Sequence, residues 1–215
     1  MQRIANMRNK LLLTTAELKK LSSTDTLTGL YNRYQFERAM RERIAVSERH
    51  RRTMALMFID IDHFKSINDG FGHHVGDALL IEVSERLGKC TRTEDFIGRI
   101  GGDEFVVIIS DFSNKNDIEI VAKKILSEVS RPYEIGNTTL RVSVSIGVAY
   151  YPTDGVTGES IIRNADIAMY ESKNKGRNNY HIFTSDMQDR QMQHVSLEHE
   201  LKFALDRKQL HLVYQ

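Results

Sequence analysis

Four acidic residues stand where runs of β-forming residues begin or end. Asp60 and Asp62 follow the apolar run at 54–59, and Asp103 and Glu104 come directly before another such run. If the two strands are neighbours, several carboxylates converge on one edge, and each like-charge pair at about 4 Å costs ~1 kcal/mol even in water. A cation removes this cost, and oxygen ligands favour Mg²⁺ or Mn²⁺, which usually share the phosphates of a nucleotide. The pattern favours a metal site for phosphoryl or nucleotidyl transfer over solvated loop acids.

The acids adjoin a pair of glycines, Gly101 and Gly102, that predicts a tight turn. Gly-Gly supplies the positive φ angles that a two-residue hairpin turn requires, and apolar runs on both sides are typical of its paired strands. A hairpin does not need two adjacent carboxylates at the start of a strand. Asp103 and Glu104 are therefore interpreted as functional residues that the turn positions.

Other common nucleotide and metal motifs do not fit this chain. It contains no GxxxxGK[ST] sequence, and "GFGHHVG" at 70–76 has its last glycine one place late for a dinucleotide-binding fingerprint. His73 and His74 do not predict zinc, because adjacent side chains point apart and no second pair is suitably spaced. We interpret them as residues that form the turn or support the site from behind.

Composition limits the class of protein. The 215 residues suffice for one domain with an extension at each end, and 30 basic against 29 acidic residues leave a net charge of +1. This balance gives no electrostatic basis for binding nucleic acid or a membrane surface. Cys90 is the single cysteine, which excludes a disulfide framework and fits a reducing cytoplasm. We expect a cytoplasmic segment without membrane contact of its own, in a parent protein that an upstream segment can anchor.

The periodicity predicts an α+β fold. Alternating apolar residues from Leu140 to Val148 predict a strand buried on one face, with Ser143 and Ser145 on the exposed face. The continuous apolar run at 54–59 predicts a strand covered on both faces. The order β-α-β-β-α-β favours a ferredoxin-like core, a mostly antiparallel sheet flanked by helices. The predicted helices are 33–49, 78–87, 118–129 and 159–172, and a last short strand is expected at 180–183.

The two ends of the chain have patterns of their own. Apolar residues at heptad spacing predict a helix over 2–22, which either forms a coiled coil or packs on the domain as an ordinary amphipathic helix. At the other end, 196–215 predict a helix and then an apolar strand that stops at the last residue. The heptad residues are Ile4, Met7, Leu11, Leu18 and Leu21.

Five dispersed motifs give the chain a family resemblance. "RIGGDEF" at 99–105 is the signature of GGDEF domains, and over 23–183 the chain resembles the GGDEF-domain diguanylate cyclases, with a signalling linker helix at 1–22. The resemblance implies the palm-like sheet of nucleotide cyclases and polymerases. It also implies condensation of two GTP into cyclic di-GMP with release of two pyrophosphates. The other motifs, in the expected order, are "DTLTGLYNR" (25–33), "FIDIDHFKSINDGFGHHVGD" (58–77), "SIGVAYYPTDG" (145–155) and "ADIAMYESKNKGRNNY" (165–180).

The resemblance assigns roles to the acidic residues. Asp60, the carbonyl of Ile61 and Glu104 match the family's metal ligands, which hold two Mg²⁺ or Mn²⁺ ions in each active site. Asp103 matches the acid that assists deprotonation of the ribose 3′-OH and also serves as a metal contact. Lys173 joins Asp103 and Glu104 in the catalytic set that the resemblance implies.

A second set matches the family's GTP-binding residues. Asn68 and Asp77 match the pair that reads guanine, and an amide with a carboxylate can address O6, N1–H and the N2 amino group together. Adenine would leave these groups unpaired, so the pair argues against ATP. The remaining residues assigned to GTP binding are Phe64, Lys65, His73, Gly101, Gly102, Lys173 and Arg177.

Two further stretches resemble regulatory parts of such proteins. Arg92 and Asp95, in "RTED", have the RxxD spacing where the family's inhibitory product site begins, and a chance surface ion pair is the alternative. The segment 184–215 resembles a linker and the truncated start of an EAL phosphodiesterase domain. The implied partners are GTP, cyclic di-GMP as product and inhibitor, a second copy in a catalytic homodimer, an upstream sensor and a downstream EAL domain.

Two other functions stay open at this point. The domain can be a catalytically silent module that binds GTP or cyclic di-GMP and controls an adjacent EAL domain, or a related cyclase for another nucleotide. The glycines and acids of the signature are undamaged, and Asn68 and Asp77 argue for guanine. The sequence therefore favours an active diguanylate cyclase.

Overall fold

The central strand of the fold is β1 (Met54–Ile61), and all eight of its residues are buried. The computed structural model describes residues 23–193. The predictions for the heptad helix at 2–22 and for the segment 196–215 lie outside these residues. Within the described chain, the continuous apolar run forms the predicted strand and continues through Asp60 and Ile61.

The predicted elements occur in the predicted order with boundaries shifted by up to five residues, but the sequence did not predict the helix Phe64–Phe71 or the strands Tyr133–Ile135 and Thr138–Leu140. The helices are α1 (Arg33–His50), α2 (Phe64–Phe71), α3 (His73–Cys90), α4 (Lys115–Val129) and α5 (Gly158–Asn174), and residues 185–193 are also helical. The strands after β1 are β2 (Phe96–Gly101), β3 (Glu104–Ile109), β4 (Tyr133–Ile135), β5 (Thr138–Leu140), β6 (Val144–Tyr151) and β7 (Tyr180–Ile182).

The main sheet has the strand order β2-β3-β1-β6-β7. Strand β1 is antiparallel to both β3 and β6, while β7 joins β6 in parallel, and β4 pairs with β5 apart from the main sheet. Helices pack on both faces of this sheet. The structure therefore confirms the predicted α+β fold with a mostly antiparallel sheet.

Alternating side chains of β1 enter two separate cores. Ala55, Met57 and Ile59 pack with α3 and α4 on one face, while Leu56 and Phe58 pack with α1 and α5 on the other. Because successive side chains of a strand point to opposite faces, the next residue on the α1/α5 face is Asp60. The same alternation places Glu104 on that face, ahead of the buried pair Val106 and Ile108 of β3.

The strand predicted over 140–151 exists, but the prediction that it is buried on one face only was wrong. Strand β6 begins only at Val144, and all eight of its residues are buried, including Ser145. Helix α5 covers the face that was expected to be exposed, and it lies so close that a Cβ on Gly147 would collide with the carbonyl oxygen of Ala165. Alternation identifies one apolar face correctly, but it carries no information about a helix that packs on the other.

Candidate active site

The strand register brings the acidic residues of two strands together. Strand β1 pairs with β3 so that Asp60 lies directly opposite Glu104, and the N–H of Ile61 donates to the carbonyl oxygen of Asp103 at 3.3 Å. Both carboxylates lie at the end of the α1/α5 face. The structure thus brings together Asp60, Ile61, Asp103 and Glu104, which the sequence placed at two strand ends.

The turn that presents these acids differs from the predicted one. Strand β2 extends through Gly101, which pairs with Glu104, so the two turn residues are Gly102 and Asp103. Gly102 has a positive φ of 30°, but Gly101 is not in the left-handed region. The register shifts between Arg99 and Gly101, and this irregularity redirects the strand, so one positive φ angle suffices. The prediction that both glycines adopt positive φ was therefore wrong for Gly101.

Hydrogen bonds of Arg99, which the sequence analysis did not predict, hold this turn. The guanidinium of Arg99 donates to the carbonyl oxygen of Gly102 from Nε at 2.9 Å and from Nη2 at 2.7 Å. Its Nη1 donates to Asp25 Oδ1 at 2.9 Å, and Asp25 also accepts from the backbone N–H and the hydroxyl of Thr28. Both residues belong to the quoted motifs, at 25–33 and 99–105, which was the available signal.

Burial and like charge perturb the acids. Burial raises the pKa of Asp60 to about 6, against the lowering effect of Lys173, whose Nζ lies 2.8 Å from Asp60 Oδ2. Burial and then the charge of Asp103 raise the pKa of Glu104 above its ordinary value. These are the perturbations expected where carboxylates await a cation.

Asp166 is a further acid in this region that the sequence did not reveal. It stands seven residues before Lys173 on α5, and its charge contributes to the raised pKa of Glu104. Glu104 and Asp166 line one end of a cleft of about 930 Å³ between α1 and α5, with the first turn of α1 contributing Arg33. Seven residues are about two helical turns, so spacing could have suggested that Asp166 and Lys173 share a face.

The donor set fits a hard divalent cation. Two carboxylates, from Asp60 and Glu104, and the main-chain carbonyl of Ile61 are oxygen ligands, with Asp103 beside them. Across 23–193 no group of three or more His, Cys, Asp or Glu side chains is arranged so that it could by itself hold a metal ion. Mg²⁺ is usually held by one or two carboxylates together with waters and substrate phosphates, so an incomplete cage is compatible with it.

Asp62 does not join the acidic group. Its carboxylate is turned into the protein, where it accepts from Ser143 Oγ at 2.5 Å, from Ser145 Oγ at 2.7 Å and from the backbone N–H of Asn178 at 3.2 Å. The converging carboxylates are therefore Asp60, Asp103 and Glu104, and Asp62 belongs to a separate hydrogen-bonded centre.

Two of the predicted guanine-binding residues lie on adjoining helices. Asn68 is on α2, and Asp77 is the fifth residue of α3, directly after Gly76. A Cβ on Gly76 would collide with Asn68 Oδ1, so glycine permits the two helices to approach closely. Gly72, with a φ of 84°, separates the helices. The half-buried Asn68 thus lies against the residue that precedes the exposed Asp77.

The other residues assigned to GTP lie around the same end of the sheet. Phe64 is buried at the start of α2, whereas the side chains of Lys65 and His73 are exposed. Lys173 contacts Asp60, and Arg177 follows α5 in a left-handed conformation with a φ of 60°.

Arg92 and Asp95 line a second, smaller cavity of about 310 Å³ together with Tyr31. The Arg92 guanidinium donates to the carbonyl oxygen of Asp111 at 3.3 Å, and Asp95 Oδ2 accepts from the backbone N–H of Arg92 at 2.8 Å. Burial raises the pKa of the Asp95 carboxyl. Within residues 23–193 the two side chains form no ion pair within 4.0 Å, although the charge of Arg92 acts to lower the pKa of Asp95 against the effect of burial.

A family model described as diguanylate cyclase, GGDEF domain, matches residues 22–179. The chain belongs to the GGDEF family. Its signature supplies the Gly102–Asp103 turn and the first residue of β3, as described above.

Several relatives agree with this assignment. MucR of Pseudomonas aeruginosa, a bifunctional diguanylate cyclase/cyclic di-GMP phosphodiesterase, is 43% identical over 199 residues, which are 93% of this chain and 29% of MucR. The diguanylate cyclase TpbB of the same organism is 34% identical over 163 residues, which are 75% of this chain and 38% of TpbB. The GGDEF chain thus spans well under half the length of these relatives.

Solved GGDEF structures confirm the cyclase-type fold. A TpbB fragment from Pseudomonas aeruginosa that comprises only the GGDEF domain superposes with a TM-score of 0.76 at 32% identity, covering 79% of this chain and 99% of that one. The GGDEF domain of DgcB from Caulobacter crescentus, solved in complex with c-di-GMP, gives a TM-score of 0.70 at 33% identity, covering 75% of this chain and 95% of that one. In the described part of the chain, every helix is too short or too polar to cross a bilayer.

Proposed function

We propose that this GGDEF domain condenses two molecules of GTP into cyclic di-GMP and releases two pyrophosphates. The observation that carries the proposal is the direct pairing of Asp60 with Glu104 across β1 and β3, with Lys173 Nζ at 2.8 Å from Asp60. The pair sits on an undamaged Gly102–Asp103 turn that Arg99 holds in place.

The acidic residues provide the chemistry. Asp60, Glu104 and the carbonyl of Ile61 would hold two Mg²⁺ or Mn²⁺ ions, with Asp103 beside them. Such ions, when bound, would polarise the α-phosphate and lower the pKa of the attacking hydroxyl. Asp103 assists removal of the ribose 3′-OH proton, the new 3′-O–P bond forms, and the bond from the α-phosphorus to the bridging oxygen breaks, so that pyrophosphate leaves.

Cationic side chains and a polar pair orient the nucleotide. Lys173 balances the charge of Asp60 when no nucleotide is bound and is close enough to turn to a phosphate, and Arg177 adds a second cation. Asn68 and Asp77, brought together by α2 and α3, select guanine by pairing with its polar edge.

The product requires a two-fold arrangement of two domains. One site holds one GTP, yet each cyclic di-GMP contains two new phosphodiester bonds, so two sites must face each other. We expect a homodimer whose rate per protomer rises with chain concentration. A rate per protomer that stays constant from nanomolar to tens of micromolar chain would contradict a weak catalytic dimer.

The cavity at Arg92 and Asp95 is proposed as an inhibitory site for the product. Arg92 supplies a planar fork suited to guanine or phosphate, and Asp95 supplies an acceptor for guanine donors. The complex of the DgcB domain with c-di-GMP shows that a GGDEF domain of this fold can bind that nucleotide. Product bound here would inhibit without entering the acidic site.

A second candidate is a silent GTP-binding module that controls a neighbouring domain. The 185–193 helix packs on α5 through Met187, and Arg190 Nη2 lies 3.2 Å from Glu171 Oε1. Helix α5 also carries Lys173, so the helix at 185–193 packs on an element that contributes to the proposed nucleotide site. This candidate is also supported by relatives that are named as phosphodiesterases, such as the cyclic di-GMP phosphodiesterase NbdA of Pseudomonas aeruginosa.

Incubation of the purified chain with Mg²⁺ and either GTP or ATP separates these candidates. A cyclase yields cyclic di-GMP, identified by mass, with two pyrophosphates per product and no dinucleotide from ATP. A silent module binds GTP but leaves it unconverted at every chain concentration. Equal turnover of ATP would contradict the guanine assignment.

A further inference from the structure

Asp62 is a buried, hydrogen-bonded carboxylate next to the proposed site, although it is not one of the proposed metal ligands. Its side chain is 1% exposed. It accepts hydrogen bonds from the hydroxyl groups of Ser143 and Ser145 and from the backbone N–H of Asn178. The three donors come from the approach to β6, from β6 itself and from the turn after α5, so one carboxylate joins three segments of the chain to the end of β1.

The turn after α5 needs such an anchor. Gly176, Arg177 and Asn178 all have positive φ angles, of 100°, 60° and 50°. This conformation is sterically unfavourable for the two residues that carry a Cβ, and it persists only where surrounding contacts hold it. Asp62 supplies one such contact by accepting the N–H of Asn178, beside the bonds from the Arg177 N–H to the carbonyl oxygen of Ser172 and from Asn179 Nδ2 to that of Arg177.

Asp62 also faces the Arg177 guanidinium. Arg177 Nε lies 4.0 Å from Asp62 Oδ1, and within the described chain neither Nη nitrogen makes a hydrogen bond. The side chain of Arg177 is 42% exposed, so its outer nitrogens remain available to a ligand. At this distance the carboxylate attracts the guanidinium without a hydrogen bond, and the exposed edge suits a phosphate.

Two acid–base pairs therefore lie side by side. Asp60 faces Lys173, near the end of α5, and Asp62 faces Arg177, in the turn after α5. The two acids are two residues apart in the chain, and the two bases are four apart. The side chain of Asp60 is 10% exposed, and its charged neighbours include Lys173, Asp103 and Glu104, whereas the side chain of Asp62 is 1% exposed. The first pair can rearrange when a cation arrives, whereas three hydrogen bonds hold the Asp62 carboxylate of the second pair in place.

We propose that Asp62 is a positioning residue that fixes the left-handed turn after α5 and thereby holds Arg177 for the outer phosphates of GTP. The inference rests on the proposed function, because it takes a nucleoside triphosphate as the ligand. Asp62 acts through Arg177 and the turn, so its removal weakens binding of the triphosphate end and leaves recognition of the base intact.

The test measures binding of two nucleotides in the presence of Mg²⁺. The probes are GTP with a methylene group between the α- and β-phosphates, which cannot cyclise, and GMP, which lacks the outer phosphates. Asp62→Asn keeps the shape and replaces an acceptor by a donor. We expect it to weaken binding of the triphosphate analogue about tenfold, the equivalent of one charge-assisted hydrogen bond, with GMP binding unchanged.

A double-mutant cycle separates positioning from a general structural role. Arg177→Ala should weaken analogue binding at least as much as Asp62→Asn, and in the Arg177→Ala background Asp62→Asn should have no further effect. If Asp62→Asn folds poorly, Ser143→Ala replaces it. This variant keeps the carboxylate and removes one donor, so it should weaken analogue binding less than tenfold.

Asp154→Asn is the matched control. Asp154 also uses its carboxylate to hold a turn, accepting from the N–H of Tyr150 at 2.7 Å, but at the other end of β6. It should leave binding of both probes unchanged.

The outcomes distinguish this inference from the proposed function. If the unaltered chain does not bind the analogue, the proposed function fails and the inference fails with it. If Arg177→Ala weakens binding of the analogue while Asp62→Asn does not, the inference is overturned and the proposed function stands. Equal weakening of GMP and the analogue by Asp62→Asn would also overturn it, because a merely structural role predicts that result.

Discussion

Asp60 and Asp62 are two residues apart at the end of β1, yet their surroundings are opposite. Asp60 faces a lysine and two like charges, and burial raises its pKa to about 6. Asp62 is enclosed by hydroxyl and amide donors that use its acceptor capacity within the protein. The difference separates two uses of a buried carboxylate. Under-compensated charge favours a cation and chemistry, whereas satisfied charge fixes the architecture around it.

The largest expected effect is on catalysis at Asp60. Asp60→Asn removes a ligand charge while preserving shape, and the loss of several kcal/mol of metal-assisted stabilisation should lower the rate of cyclic di-GMP formation by about 10³-fold. Asp69→Asn, the same change on the exposed face of α2, should retain the rate of the unaltered chain. Substantial turnover by Asp60→Asn would remove this residue from the metal site.

Replacement of the two aspartates by asparagine should change the free energy of unfolding in opposite directions. The pKa of Asp60 in the folded chain, about 6, lies above the ordinary 3.8. The ionised group therefore lowers the free energy of unfolding progressively from about pH 4 to pH 6 and fully above that. In EDTA at pH 7.5, Asp60→Asn should raise the free energy of unfolding by on the order of 1–3 kcal/mol, a gain that disappears below pH 4.

Asp62→Asn should instead lower the free energy of unfolding by about 2 kcal/mol at pH 7.5, because it disrupts hydrogen bonds to a buried charged acceptor. Urea unfolding of both variants provides the measurement. Equal destabilisation by the two substitutions would show that the two carboxylates do not differ as described.

How much of this was visible in the sequence depends on the range of the signal. The order of elements, the buried central strand and the acids at two strand ends follow from local patterns. The roles of Asp62 and Asp166 do not, since they depend on contacts with Ser145, Asn178 and Glu104 that are distant in sequence. The predictions of an exposed face on β6 and of two left-handed glycines in the turn were wrong for the same reason. Packing determines the first feature and strand register the second, and neither is local in sequence.

Guanine recognition extends the comparison to the other side of the site. Asn68→Ala should leave polar groups of the base unpaired and weaken GTP binding by ~1–3 kcal/mol, with ATP binding unaffected. Asn116→Ala, on the exposed first turn of α4, is the matched control and should bind GTP normally. Titration calorimetry with the non-cyclising analogue measures both. Unchanged binding by Asn68→Ala would place the guanine elsewhere.

The smallest effect on the initial rate is expected at Arg92, which lies apart from both aspartates. Arg92→Ala should keep the initial rate near that of the unaltered chain and relieve inhibition by cyclic di-GMP. Arg92→Lys keeps the charge without the planar fork and should relieve it only in part. Progress curves with added product measure this, and inhibition of Arg92→Ala as strong as in the unaltered chain would exclude the site.

The most direct test of the account compares the unaltered chain with Glu104→Gln at tens of micromolar, with saturating GTP and Mg²⁺. Glu104 faces Asp60 across the strand pair, and glutamine preserves its shape while removing the charge. The product is identified and quantified by mass. The account predicts cyclic di-GMP from the unaltered chain and none above background from Glu104→Gln. Equal amounts from both chains, or none from either, would contradict it.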